Sequence, residues 1–527
     1  MIVDSFTVAG GCQNRPIQLG IDQLRSAMDK NGVDLAMTFS LRAIQAEALL
    51  GNEYLYALAK EDPRILPVAV VDPHNFQYLD SVIESAVANK AVALAFHMTA
   101  LPCPLNSILF RRSLKRAAAT NKPLIFVDNV AGRLTQLAEM TRDLGCKKVL
   151  LAGASYHHGA EMLALLEEFG HIYVETSWQV SPGIVGLLAG AAGSDRILFG
   201  SMAPMRPMRP ALNMVAEAEL SDSQKTDILA RNALRFLGRE EHAARVADEA
   251  PQLMGMPQVP AIDVHCHFRV TPQVPSTCLG GAAIQKELER FNIESAIVSA
   301  SVAYKDDMNL GNEEMLQGIK TFEHMLGSIV VNPHHLEDSI KWLDVAASDR
   351  RIAHVTINPG TTYEQYSSPA WLRLFAEVAA RDLAVFWNTG GQDLARRNAH
   401  ATVSGHLWKL RGAPPDKVDL FKRVDELFPD MPIILGHGYG QEGLQLAKTC
   451  KSIYLDLCST YPEQNVYRRA IDEVGAHRVV FGTDLEMISP AFVLGSVWEA
   501  DLDEREQRMI LRENACDILK LPRQARR

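Results

Sequence analysis

The chain has no run approaching the roughly 18 uninterrupted apolar residues of a bilayer span, so no membrane segment is expected. It also lacks an excess of basic charge. Lys and Arg total 53 against 63 Asp and Glu, a net charge of -10. Nucleic-acid binding needs a basic stripe, and that balance argues against one. Cysteine is scarce and scattered. Its eight copies form neither CxxC pairs nor a dense framework. A disulfide scaffold is therefore excluded, and reduced thiols in the cytosol are expected. Most of these cysteines read as small buried apolar residues. The first residues carry Asp4 and lack a basic leader before an apolar core, so no secretory signal is expected. What is present is a soluble globular balance, 47% apolar and 22% charged. At 527 residues the chain exceeds one ordinary core, which calls for two or more domains.

The chain repeats itself, and long-period repeats take precedence in reading a fold. "MIVDSFTVAG" at Met1 has the rhythm of "AIDVHCHFRV" at Ala261, with Asp4 aligned to Asp263 at an offset of 259. "LPVAVVDP" (66–73) aligns with "LGSIVVNP" (326–333), and "LIFVDN" (124–129) with "AVFWNT" (384–389), both at offset 260. The offset then jumps. "VLLAGAS" (149–155) aligns with "IILGHGY" (433–439) at 284. "RILFGSM" (196–202) aligns with "RVVFGTD" (478–484), and "ILARNALRFL" (228–237) with "ILRENACDIL" (510–519), both at 282. Six pairs in order, with one insertion, indicate two homologous domains. Residues 1–248 form the first copy and 261–527 the second. The segment 249–260 between them, rich in proline, reads as a linker.

Each copy has the usual size of an eight-stranded β/α barrel. Short runs such as "SAIVSA", "GSIVVNP" and "RVVFGT" alternate with helical stretches, which argues for parallel β/α architecture. In "SPAWLRLFAEVAARD" (368–382), Ser368 suits a cap and Pro369 a first turn. Leu372, Phe375 and Val378 are expected on its apolar face. Periodicity alone does not separate a closed barrel from an open doubly wound sheet; the motifs below decide for the barrel.

His265 and His267 stand two apart on a strand, so they face the same way. Two imidazoles from one strand suit a metal at about 2.0–2.1 Å per Zn–N bond. An HxH pair alone is weak, because such pairs occur without metal. Context strengthens it. "PIILGHGYG" puts His437 at the end of a second strand, and "RVVFGTDLEM" puts Asp484 at the end of a third. A barrel gathers its active site at such strand ends. His324, His334, His335 and His477 lack that placement and read as solvated or locally bonded.

D-x-H-x-H, "LGHG", "FGTD" and a closing "ENA…IL" helix together resemble the amidohydrolase superfamily. The closer likeness is to its amidohydrolase-related branch of metal-dependent hydrolases and aromatic-acid decarboxylases. The resemblance covers the whole second copy and, in degraded form, the first. It implies two tandem (β/α)8 TIM-type barrels. It implies that His265, His267 and Asp484 ligate a divalent metal, zinc first and manganese second. It further implies that Asp484 takes a proton from metal-bound water in hydrolytic members, and that His437 polarises substrate or acts as an acid. Bound zinc brings the pKa of its water to about 7. A neighbouring carboxylate can then move the proton, and imidazole and carboxylate suit zinc or manganese.

The fifth strand departs from the branch pattern. It reads "WNTG", with Asn388 where a histidine ligand is usual, and Asn358 in "TINPG" stands where fourth-strand contacts arise. A neutral amide is a poor zinc ligand, so metal-free operation stays open. The insertion of about 24 residues follows at once, in 390–416, and carries Gln392, Arg396, Arg397, His400 and His406. Loops at that edge line the site. Arg396 or Arg397, and Arg269 beyond the HxH pair, are candidates to bind an anionic substrate, since guanidinium suits carboxylate. The first copy has Phe6, Val8, Gly153 and Met202 at the positions of His265, His267, His437 and Asp484. It reads as a catalytically silent barrel with a structural role. "SMAPMRPMRP" (201–210) is weighed there as an exposed Met/Arg surface against an ordinary loop.

The sequence thus points to a hydrolase of C–N or C–O bonds in a small anionic molecule. Non-oxidative decarboxylation is the runner-up, and a non-catalytic binding or scaffold protein the third reading. The expected partner is a small-molecule substrate, without nucleic acid or membrane; a homo-oligomer is left open.

Overall fold

A computed structural model of the chain describes residues 1–11, 18–127, 130, 132–248, 257–268, 274–362, 364–389 and 413–523. Arg269, Arg396 and Arg397, with the rest of the insertion up to residue 412, lie outside the described residues. The chain forms two compact units whose main parts meet between residues 253 and 254.

Each unit is an eight-stranded parallel sheet in sequential order. In the first these are β1 (Val3–Ala9), β2 (Leu35–Ser40), β3 (Ile65–Val70), β4 (Ala93–Phe96), β5 (Leu124–Val127), β6 (Val149–Ala152), β7 (Ile172–Glu175) and β8 (Ile197–Leu198). In the second they are β9 (Ala261–Phe268), β10 (Ile293–Ala300), β11 (Met325–Val330), β12 (Ile352–Ile357), β13 (Val385–Asn388), β14 (Ile433–Gly436), β15 (Ile453–Asp456) and β16 (Val479–Val480). Helices separate the strands. The strands are almost wholly buried and rich in Val, Ile, Leu and Ala, as parallel strands covered on both faces must be.

The return of the last strand to the first closes each sheet. Ser5 N donates to the Phe199 carbonyl at 2.8 Å, and Val8 N to Ala203 at 2.9 Å. In the second unit Val264 N donates to the Phe481 carbonyl at 3.0 Å, and His267 N to Leu485 at 2.7 Å. These are two (β/α)8 barrels, as the motifs implied.

The duplication extends to single side chains. Asn52 exchanges two hydrogen bonds with the backbone of Val70, each 2.9 Å; Asn312 does the same with Val330 at 2.9 and 2.8 Å. Asn232 donates to the carbonyls of Ser194 and Ile197, and Asn514 to those of Ala476 and Val479. Each such amide satisfies buried backbone groups that would otherwise be left unpaired. A five-residue π-helical turn precedes each closing helix, Asp227–Arg231 in the first barrel and Met509–Glu513 in the second.

The helix Pro369–Ala379 is capped by Ser368 as expected, but its buried stripe is Trp371, Leu374, Phe375 and Val378. Leu372 lies at the edge of that stripe because Trp371 and Phe375 face the strand carrying Trp387. The seven described cysteines are free, and all but Cys146 are buried. Among the described residues, no helix is long and apolar enough to cross a membrane.

Candidate metal centre

The alternation of β9 turns His265 and His267 to one side, with their Nε2 atoms 3.2 Å apart. The chain after β16 brings Asp484 to them. Its Oδ1 lies 3.1 Å from His267 Nε2 and 3.7 Å from His265 Nε2. All three side chains are buried.

Asp484 is aimed by its backbone, which takes a left-handed turn with φ 62°. A non-glycine residue there carries a conformational cost of about 1–2 kcal/mol, and such costs gather at functional sites. The turn is held on both sides. Asp484 N donates to the His265 carbonyl at 2.7 Å. Asp263, fully buried, accepts from His265 N (2.9 Å), Thr483 N (3.0 Å) and Thr483 Oγ1 (2.5 Å). Gly482 has to be glycine, because a Cβ there would stand 2.8 Å from that of His265 and 2.7 Å from Asp456 Oδ1. His437, just past β14, is also left-handed at φ 57°. Its Nε2 lies 3.7 Å from Asp484 Oδ2. The carboxylate thus divides its oxygens, one toward the histidine pair and one toward His437.

The far nitrogens of the rings are anchored. His265 Nδ1 donates to Asp456 Oδ2 at 2.8 Å. His267 Nδ1 lies 3.1 Å from Ser299 Oγ and 3.5 Å from the Tyr304 hydroxyl. His437 Nδ1 donates to the Cys458 carbonyl at 3.1 Å. Holding the proton on Nδ1 leaves the Nε2 lone pair for a cation, the usual arrangement around metal-binding imidazoles.

Charge follows this geometry. Burial opposes ionisation of Asp484, but the three surrounding imidazoles bring its carboxyl down to about 2. Burial works against the imidazolium of His265, yet Asp484 and Asp456 hold it above its ordinary value. At His267 burial wins and the value falls.

These residues fit a divalent cation. Asp484 Oδ1 is buried and accepts no hydrogen bond, although two imidazole nitrogens stand beside it. A cation about 2.1 Å from each of the three donors would subtend angles of about 95° to 125° across their separations. That range runs from octahedral to open tetrahedral. The donor set is two nitrogens and one oxygen, suited to zinc or manganese.

A family model described as amidohydrolase matches residues 22–239 and 262–521. The chain belongs to the amidohydrolase family. The two matched segments fall one in each barrel. A search of curated proteins found no match. Solved structures similar to the chain include 5-carboxyvanillate decarboxylase from Sphingomonas paucimobilis, 13% identical, TM-score 0.42, covering 50% of this chain and 100% of that one. A dihydroxybenzoic acid decarboxylase from a Polaromonas species, with bound manganese and 2-nitroresorcinol, is 16% identical with TM-score 0.40, covering 50% and 98%. A probable 2-pyrone-4,6-dicarboxylic acid hydrolase from Acinetobacter baumannii, with citric acid bound, is 15% identical with TM-score 0.35, covering 50% and 100%.

Of the residues singled out for this amidohydrolase in the sequence, the structure brings His265, His267, His437 and Asp484 together. Asn358 follows β12, where its Oδ1 accepts from Gly360 N at 3.2 Å and caps the short turn Pro359–Thr361. Asn388 ends β13 and is buried, paired in register with Gly436. His324 and His334 are locally bonded, as expected, to the carbonyls of Glu294 and Thr362.

Sequence reading missed Asp456 and Cys458 on β15 and the loop after it. Their signal was the same i, i+2 spacing as the HxH pair, "D-x-C" at the end of an apolar run, in a strand that reads as ordinary core. Replacing Asp456 with asparagine should weaken metal binding about 10- to 100-fold, as loss of such anchors generally does. Isothermal titration of the metal-stripped chain measures this; unchanged affinity would mean that Asp456 does not hold His265.

The first barrel keeps the frame of this amidohydrolase site without its donors. Asp4 accepts from Phe6 N (3.0 Å), Ser201 N (3.1 Å) and Ser201 Oγ (2.5 Å), copying Asp263. Met202 N donates to the Phe6 carbonyl at 2.6 Å, and Met202 sits at φ 63°. Phe6 packs edge-on against Phe39, with centroids 5.3 Å apart. A Cβ on Gly153 would meet Val127 at 3.2 Å and Phe6 at 3.6 Å. The place of the ligands is therefore filled by apolar packing. Both ligand groups found among the described residues lie in the second barrel. Residues 201–210 are not an exposed surface. They are buried or nearly so, and Arg206, 1% exposed, lies over Trp178 and donates to the Ser177 carbonyl at 2.6 Å. Burying the guanidinium against a ring and a carbonyl keeps its donors engaged.

Proposed function

We propose that the second barrel is a metal-dependent hydrolase of a C–N or C–O bond in a small anionic molecule, such as an amide, cyclic amide, lactone or ester. The observation that carries this reading is the divided carboxylate of Asp484. One oxygen faces the ligand pair, and the other faces His437 at 3.7 Å. His265, His267 and Asp484 would hold zinc, with manganese the alternative. That metal supplies Lewis acidity to an oxygen of water or substrate.

The rest belongs to side chains. Asp484 is ionised at neutral pH, so Oδ2 can take a proton from the attacking water and return it to the leaving atom. His437, fixed through Nδ1, turns Nε2 toward charge developing on the substrate oxygen. Asp456 and Ser299 keep both ligand rings in register. Arg269, Arg396 and Arg397 supply the preference for an anion in this reading. The first barrel acts as a non-catalytic, structural copy.

The test is turnover of metal-loaded protein against lactones, cyclic amides, esters and arenecarboxylates in water labelled with heavy oxygen. Label entering a product carboxyl is expected. Carbon dioxide release with no label in the product would replace this reading with non-oxidative decarboxylation, for which His437 would protonate carbon. Neither turnover nor metal uptake would leave only a binding protein.

A further inference from the structure

The imidazoles of His265 and His437 stand 4.8 Å apart between centroids, at 72°. Each ring turns Nε2 toward Asp484. Each turns Nδ1 toward the thiol of Cys458, whose Sγ lies 3.2 Å from His265 Nδ1 and 3.4 Å from His437 Nδ1. The same two rings therefore separate two donor sets. One contains His267 and a carboxylate; the other contains a thiol. We propose that His265, His437 and Cys458 form a second cation site, selective for thiophilic ions, on the opposite nitrogens of the shared imidazoles.

The thiol is spaced for it from both rings. Ligand distances of about 2.0–2.3 Å for nitrogen and sulfur fit separations of 3.2 and 3.4 Å. Asp456 Oδ2, 2.8 Å from His265 Nδ1 and 3.1 Å from Cys458 Sγ, stands by as a fourth donor. Thiolate selects soft cations over the hard ions that carboxylate favours. Binding there releases the thiol proton to solvent and moves each Nδ1 proton to Nε2. Nothing is oxidised or reduced.

A neutral imidazole has one free lone pair. A ring committed through Nδ1 carries its proton on Nε2 and is lost to the other set. The two sites exclude each other through His265, so a soft ion at Cys458 displaces the metal beside Asp484. That inhibitory consequence rests on the hydrolase reading; the site itself does not.

Cadmium titration of the full chain tests the site through thiolate-to-metal charge-transfer absorption. One cadmium per chain should produce the band. The band should vanish in Cys458→Ser and persist in His267→Ala, which cripples only the first set. His437→Gln should weaken cadmium binding at least tenfold. Preloading with manganese should shift the titration at least tenfold. A band that survives Cys458→Ser, its absence from wild type, or unchanged affinity in His437→Gln would overturn the proposal. Protein that shows the band but takes up neither zinc nor manganese beside Asp484 would refute the hydrolase reading alone.

Discussion

Replacing Asp484 with asparagine is expected to reduce turnover about a thousandfold or more, the middle of the range for losing a positioned proton-transfer group. Asparagine keeps the shape of the side chain and removes its charge. Three imidazoles now draw the carboxyl down to about 2, so the group they surround is an anion under all physiological conditions. Without it, His265 and His267 face a neutral amide, and the donor set loses its only charge. Metal content, measured on protein purified without chelators, should fall together with kcat. Removing both His265 and His267 should abolish metal uptake outright. Full occupancy in that double variant would mean the cation binds elsewhere. Turnover of Asp484→Asn at the wild-type rate in excess metal would leave Asp484 without a role in proton transfer.

The second large effect concerns stability and lies in the first barrel. Burial lifts the carboxyl of Asp4 from 3.8 to about 7, even though Ser201 and two backbone amides donate to it. Below about pH 4 the carboxyl is protonated in both folded and unfolded chains. As pH rises from about 4 to about 7, the unfolded chain ionises first while the folded one retains its proton. Unfolding then releases a proton, so stability falls across this window and levels above it. The displacement corresponds to about 4 kcal/mol at most. Asp4→Asn cannot ionise, so its stability should lack that contribution. Urea midpoints of wild type and variant, compared between pH 4.5 and 7.5, isolate it from other carboxylates. Identical pH dependence in the two chains would show that Asp4 is ionised throughout.

Much of this architecture was legible because duplication writes each element twice. Six aligned phrases located the barrels and the insertion, and the empty counterparts Phe6, Val8 and Met202 marked which copy keeps polar ligands. His265 and His267 could be read from strand alternation, and Asp484 from its place at a strand end. Asp456 and Cys458 carry the same two-residue spacing but read as core, since their partner lies about 190 residues away on β9 and only the barrel's closure brings β15 beside it. Tyr304 was hidden for another reason. It lies in a short helix after β10 and approaches His267 from outside the strand pattern. Asn358, read by position as a substrate contact, also caps a local turn through Oδ1, a use that asparagine's side chain makes easy and that the sequence did not announce.

Met202 takes nearly the same backbone torsion as Asp484, φ 63° against 62°. The left-handed bend that points a carboxylate at its ligands in one barrel persists in the other, where the side chain is an apolar filler. The frame built by Asp4, Ser201 and the Phe6 carbonyl leaves the chain no other way to turn there. The turn is thus a property of the shared barrel scaffold, set by hydrogen bonds that do not depend on which side chain it carries.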